Sequence, residues 1–373
     1  MATLPLVVGS GSFVCTPLVQ NAALFDWLQP RRPDGELVPP EWLEKNLGVR
    51  QRSYDLDLDT GVKRPREQGG LYDGDLALRS ARAALEDAGV AAGEVDMFVH
   101  VSCTPDTLFF QDHLRYLTGQ LGLRHDAHLL HFDLGCAGLA PALRAVRSEL
   151  AASDPGTTVL LVASNSASSY LTRDTIDFYL NHPHPWAWLS PAMFGDGAGA
   201  VVLRSGGRDR DRGFLDVWYE TRPDISIVSY GAGGATSPTS ARNMAEHVFI
   251  MEPQAVAKSY TPILRLTFDR MVEQWPKRVE PLVGHPFDAG RIKRWYLHQA
   301  NRPAVVRTAQ ELGLPLDRVP TNVECYGNTC SASTLLLLDA DRRRGAVEDG
   351  DLVAFLWIGA GAGAQYGYAV ARV

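Results

Sequence analysis

The chain has 373 residues, 45% of them hydrophobic, and a formal charge of −7. A single core stops growing near ~250–300 residues, so this length predicts two packed halves. The acidic balance, without a dense Lys/Arg run, excludes a nucleic-acid footprint, which needs a basic face against phosphates.

The opening stretch MATLPLVVGSGSF has no basic segment followed by a sustained apolar run. Nor does any uncharged apolar stretch reach the ~18 residues that span a bilayer. The expectation is a cytoplasmic protein with no membrane association. Leu6 to Gly9 and Val95 to Ser102 are apolar runs closed by turn residues, which predicts strands. Between them, Asp73 precedes an Ala- and Leu-rich helix over 75–88 that ends at Gly89, the residue best suited to a left-handed cap. Thr158 to Ser164, Arg294 to His298 and Leu352 to Ile358 repeat the pattern of a buried strand entering a polar or glycine-rich turn. Strands alternating with helices predict an α/β fold with a largely buried sheet.

Two glycine-rich bends running into strand-like residues, Phe194 to Leu203 and Trp357 to Val370, point to a duplication. The charged segment Arg204 to Gly213 lacks apolar residues to bury and marks the expected boundary between halves 1–212 and 213–373. Tyr179 to Pro191, with prolines at 183, 185 and 191, reads as an irregular loop or lid. Five cysteines, Cys15, Cys103, Cys136, Cys325 and Cys330, lack Cys-x-x-Cys spacing and read as reduced thiols, neither a disulfide framework nor a zinc site.

Three positions carry candidate chemistry. After Cys136, Leu139, Leu143, Val146 and Leu150 recur at helical spacing, which puts the thiol at or beside a helix N-terminus, where the thiolate is favoured. A small buried hydrophobe is the alternative. His298 stands at a strand tip, ahead of a helix whose Pro303 suits the first turn. It is either a structural imidazole or a donor to a developing oxyanion. Asn328 sits at a glycine turn before the Leu-rich run 335–338, where a cap residue or a second oxyanion donor are both open readings. The run Gly359 to Gly363 lies too near the carboxyl terminus to open a βαβ dinucleotide unit.

Taken in order, Cys-Ala-Gly at 136, Phe-Gly-Asp-Gly-Ala-Gly-Ala at 194, His-Gln-Ala-Asn at 298 and Gly-Asn-Thr-Cys-Ser-Ala-Ser at 327 resemble β-ketoacyl-(acyl-carrier-protein) synthase III of the thiolase superfamily. The segment Trp42 to Arg50 is similar to that family's early Trp-x-x-x-x-x-Gly-Ile stretch. The resemblance implies a thiolase-like duplicated αβαβα five-layer fold, a homodimer, and Cys136, His298 and Asn328 on the catalytic positions. It also implies that Trp42 binds substrate, that Phe109 reaches the acyl pocket of a partner subunit, and that the backbone N–H groups of Cys136 and Ala362 form an oxyanion hole. Acyl carrier protein or acyl-coenzyme A thioesters are the implied substrates, with no metal or other cofactor. Asn46 stands where an arginine that helps hold coenzyme A often occurs, and Ser166 to Ser169 offers no replacement for another. These departures, with Trp186 and Trp188 in an inserted-looking segment, point to a specialised, polyketide-type role.

In the expected reaction a Cys136 thiolate takes an acyl group from a thioester, and a malonyl-type thioester then loses carbon dioxide and attacks it. Two alternatives stand beside it: acyl transfer to a hydroxyl or amine on the same fold, and a non-catalytic partner subunit of a synthase.

Overall fold

In the computed structural model, which describes residues 4–61, 63–107, 109–206, 212–230, 248–361 and 363–373, Val159 to Ala163 have no solvent exposure at all. A strand buried on both faces carries apolar residues continuously instead of alternating them, and Thr158–Asn165 is such a strand. It is central in a five-stranded sheet ordered Pro5–Phe13, Gly197–Ser205, Thr158–Asn165, Met97–Val101, His128–Phe132. The first two junctions are antiparallel and the last two parallel. A four-stranded sheet follows in the order Arg294–Leu297, Leu352–Gly361, Gly363–Arg372, Gly213–Arg222, with only its first junction parallel.

Between the sheets run the helices Leu139–Ala152 and Ala332–Arg343. One apolar cluster joins their Leu143 and Leu335 to Val201 of the first sheet and Phe355 of the second. Asp73–Ala88 and Phe110–Leu121 cover the outer face of the first sheet through Phe98, Leu160 and Val202. Pro253–Arg278 and Arg302–Glu311 cover the second through Trp295, Leu356 and Val370. Helix, sheet, helix, sheet, helix is the thiolase-like α/β order expected from the motifs.

Local reasons account for where the elements start and stop. The helix Asp73–Ala88 begins two residues earlier than the pattern implied, because Asp75 accepts the Tyr72 amide at 3.0 Å and closes the first turn; it ends on Gly89 at φ 62°. Ser10 and Gly11, read as a turn, instead continue the first strand opposite Val201 and Ala200. Their small size reflects the helix lying against them, since a Cβ on Gly11 would stand 2.4 Å from the Ala84 nitrogen.

Tyr179 to Pro191 is irregular over residues 181–188, as its prolines imply, but both of its ends are helical and packed. Tyr179 closes into the helix Arg173–Leu180, and Pro191 lies in the first turn of Leu189–Met193, where its missing N–H leaves no helical bond unmade. Tyr179 and Trp188, each 2% exposed, are packed in a third apolar cluster with Phe25 and Val323. Residues 207–211 of the expected boundary segment lie outside the described residues. Among the described residues, no helix is long and apolar enough to cross a membrane.

Candidate active site

Cys136 follows the edge strand His128–Phe132 and precedes Leu139–Ala152 by three residues, so it stands ahead of the central helix and is only half buried. The C-terminal hairpin comes down directly onto it. Gly359 makes that approach feasible, because a Cβ there would lie 2.4 Å from the Ala137 nitrogen and 2.7 Å from the Cys136 Cβ. Gly359 to Gly361 and Gly363 thus end two paired antiparallel strands and do not open a βαβ unit.

His298 directly follows Arg294–Leu297, and its amide donates to the Leu356 carbonyl at 2.9 Å, carrying the parallel pairing one residue further. Gln299 locks the turn by donating to the Leu297 carbonyl at 2.7 Å and accepting the Asn322 amide at 3.1 Å. Asn301 caps the next helix by accepting the Ala304 amide at 2.8 Å, with Pro303 in its first turn as the sequence implied. From the long helix Pro253–Arg278, the Tyr260 hydroxyl donates to the His298 carbonyl. The imidazole is buried, and among the described residues its Nδ1 has no hydrogen-bond partner.

Asn328 is fixed by the two glycine motifs gripping one another. Its amide donates to the Met193 carbonyl at 2.8 Å and its carbonyl accepts the Gly195 amide at 3.0 Å. A Cβ on Gly195 would meet the Tyr326 carbonyl oxygen at 1.8 Å, and Gly327 adopts φ 72°. The side-chain oxygen accepts the Cys330 amide at 2.9 Å. That leaves Nδ2 aimed at Cys136, with the Sγ 3.7 Å away.

Several donors converge on this sulfur. The Cys330 thiol hydrogen-bonds it, His298 adds both charge and a hydrogen bond, and Asn328 adds another. Together they outweigh burial and hold the Cys136 thiol well below its ordinary range, favouring the nucleophilic thiolate. Cys330 is displaced the other way, well above its ordinary range, by hydrogen bonds with Cys103 and Cys136 and by burial. Cys136, His298, Asn328, Cys103 and Cys330 all open onto one cavity of about 160 Å³. Its remaining wall is mainly apolar, including Leu189, Met193, Phe194, Ile227, Phe249 and Met251. Such a space accepts a hydrocarbon chain beside a group that forms thioesters.

Residues 285–373 match the model of the C-terminal domain of 3-oxoacyl-(acyl-carrier-protein) synthase III, and residues 73–207 match that of the N-terminal domain of chalcone and stilbene synthases. The chain is 28% identical to the β-ketoacyl-(acyl-carrier-protein) synthase III of Ruegeria pomeroyi, with 97% of each chain covered. It is 29% identical to that of Paramagnetospirillum magneticum, with 98% of each covered. The crystal structure of 3-oxoacyl-(acyl carrier protein) synthase III from Pseudomonas aeruginosa superposes with a TM-score of 0.75 at 27% identity, covering 99% of this chain and 98% of that one. Over nearly its whole length the chain is thus similar to the β-ketoacyl-(acyl-carrier-protein) synthase III enzymes of the thiolase superfamily. It is a synthase III-like acyltransferase, a condensing enzyme by family. A further likeness, to OleA of Xanthomonas campestris with bound lauric acid and lauroyl-CoA, has a TM-score of 0.78 at 16% identity with all of both chains covered, and speaks to the fold alone.

Other expected site residues of this synthase III-like chain lie elsewhere. Phe109, 74% exposed at the cap of Phe110–Leu121, is not part of the cavity wall within one chain. Trp42 is also absent from the wall; it stacks on Trp186 at 5.6 Å and meets Trp188 edge-on at 5.7 Å, while Leu47 from the same short helix does line the cavity. Ala362 lies outside the described residues, although Ile358, Gly359 and Ala360 beside it line the cavity. Asn46 donates to the Trp42 carbonyl at 2.8 Å. Ser166 and Ser168 are buried, with the Ser168 amide bound to Asp196 at 2.9 Å.

Among the described residues, Asp73, His100 and His113 have donor atoms within 4.8 Å of one another, close enough for a metal. Two of them are already engaged, since Ser102, Thr104 and Ser164 all donate to Asp73 and His100 Nε2 contacts Ser164 Oγ at 2.8 Å. None of the three lines the cavity.

The roles of Cys330, Cys103 and Tyr260 escaped the sequence reading. Cys330 was within sight, standing inside the Gly-Asn-Thr-Cys-Ser-Ala-Ser motif. Only its contact with a distant sulfur gives it meaning.

Proposed function

We propose that the chain forms an acyl-thioester on Cys136 and joins it to a malonyl-type thioester by decarboxylative Claisen condensation. The observation that carries this reading is the Asn328 amide 3.7 Å from the Cys136 sulfur, in an apolar cavity that His298 also lines. The thiolate attacks the first thioester, and N–H donors, proposed to be those of Cys136 and Ala362, stabilise the tetrahedral oxyanion until the carrier thiol leaves. When the second thioester loses carbon dioxide, charge builds on its carbonyl oxygen, and His298 and Asn328 donate to it. The carbanion then attacks the acyl group and frees Cys136 as the β-ketoacyl product forms. On this reading residues 1–212 bear the nucleophile and 213–373 the two nitrogen donors.

The proposed substrates are thioesters of acyl carrier protein or coenzyme A. Lys258, exposed next to the cavity-lining Ala257, is the basic side chain we favour for contact with an acidic carrier. The proposed assembly is a cytoplasmic homodimer in which Phe109 closes the acyl pocket of the other subunit. The stacked Trp42 and Trp186 and the exposed Asn46 support a specialised, polyketide-type role over a housekeeping one. Intact-mass spectrometry after incubation with carrier-bound and coenzyme-bound acyl thioesters tests the first step. An adduct mapped to Cys136, followed by carbon dioxide release on adding malonyl thioester, is the expected result. No adduct from any member of the panel would sink the reading.

A further inference from the structure

Cys103, Cys136 and Cys330 come from three separate elements and line one cavity. Cys103 follows the strand Met97–Val101, Cys136 precedes the first central helix, and Cys330 precedes the second. Asn328 links two of them, since its Nδ2 lies 3.7 Å from Cys136 Sγ while its Oδ1 accepts the Cys330 amide at 2.9 Å, and all three thiols face the same cavity. Condensation as described above bonds the acyl group to the Cys136 sulfur alone, so neither Cys330 nor Cys103 takes part in the covalent steps.

The backbone of Cys330 is itself unusual. Among the described residues, Cys330 at φ 50° and Gln29 at φ 47° are the non-glycine residues with positive φ. Gln29 ends a helix, where such a conformation is ordinary. Cys330 instead sits inside a loop, with its amide tied to Asn328 Oδ1 at 2.9 Å. The side chain that aims an amide at Cys136 thus also holds the backbone that carries the second thiol.

We infer that Cys136 and Cys330 form a reversible oxidation site, in which a peroxide oxidises Cys136 and Cys330 then closes a disulfide onto it. The Cys136 thiolate attacks the O–O bond of hydrogen peroxide; one oxygen stays as the sulfenic acid and the other leaves as water after taking up a proton. The Cys330 sulfur then attacks the sulfenic sulfur, the S–O bond breaks, and the hydroxyl leaves with the Cys330 proton as a second water. Two thiols are oxidised by two electrons, and one peroxide is reduced to two waters. An external dithiol reverses the bond by exchange. While it lasts, the nucleophile is blocked from acylation and also protected from sulfinic acid, which thiols do not reverse.

The test needs no thioester, so its outcome is independent of the proposed condensation. The reduced full-length chain is treated with hydrogen peroxide, quenched with an alkylating agent, and read by intact mass and peptide mapping. The expected result is a loss of two alkylatable thiols, a cross-linked pair of peptides carrying Cys136 and Cys330, and full return after dithiothreitol. Cys103→Ser should keep that cross-link. Cys330→Ser and Cys330→Ala, each checked for native circular dichroism, should instead accumulate sulfinic acid on Cys136. The proposal is overturned if the wild type gains sulfinic acid as readily as these variants, or if the cross-link omits Cys330.

Discussion

Asn328 Nδ2 lies 3.7 Å from Cys136 Sγ although 192 positions separate the two residues in the chain. They meet because each sits just ahead of one of the two central helices, Leu139–Ala152 and Ala332–Arg343, which lie side by side between the sheets. The geometry makes Asn328 a donor to whatever occupies the space above the sulfur, and its consequences are measurable one step at a time.

Asn328→Ala should separate the two half-reactions. Acylation of Cys136 continues, while carbon dioxide release from a malonyl thioester falls by ~10²–10³-fold, the usual loss for one preorganised oxyanion donor. Cys136→Ala abolishes the acyl adduct itself. If Asn328→Ala left decarboxylation intact, acyl transfer to a hydroxyl or amine would become the better account.

The alkylation rate of Cys136 should be nearly flat from pH 9 down to pH 7, because its thiol is held well below the ordinary value by Cys330, His298 and Asn328. A normal thiol would slow by ~25-fold over that interval. Replacing Cys330 with alanine removes the first of those hydrogen bonds and should restore a rising limb. Iodoacetamide kinetics followed by mass spectrometry check both profiles.

Gly359→Ala should cripple the nucleophile without touching its chemistry. The added Cβ would stand 2.4 Å from the Ala137 nitrogen, a backbone atom that cannot swing aside. Overpacking of this kind costs about 1–3 kcal/mol and here displaces the loop that carries the sulfur. Thermal melting and the acylation rate should both drop, and an unchanged acylation rate would contradict the close approach.

Acid should loosen the first sheet through His131, whose Nδ1 lies 3.2 Å from His100 Nδ1 and whose ring stacks on Phe110 at 4.8 Å. Burial, aided by the charge of the nearby His113, pushes the His131 imidazole down to about 4 from 6.5. Between those values the unfolded chain binds a proton that the folded chain refuses, so this contribution is complete above pH 6.5 and is lost as pH falls toward 4. His113 is shifted upward, with Asp73 as its partner, and acts in the opposite sense. Comparing melting temperatures of the wild type and His131→Asn from pH 7.5 to 4.5 isolates the His131 share. The variant should show the shallower fall.

The sequence alone determined the elements and the order of the chemistry. Gly89 ended its helix, Pro303 stood in the first turn of another, and the Val159 to Ala163 run declared a buried strand. Such features are set by contacts within a few residues, so a linear reading reaches them. Cys136, His298 and Asn328 were legible as candidates because the motifs around them recur together. Tertiary structure alone decided that Gly359 presses on Cys136, that Cys330 touches its sulfur, and that Met193 and Phe249 wall the same cavity. It also buried Tyr179 and Trp188, both within the expected irregular stretch, in the core. These contacts join segments far apart in the chain, and the stacking of five layers that brings them together is fixed by burial summed over the whole molecule.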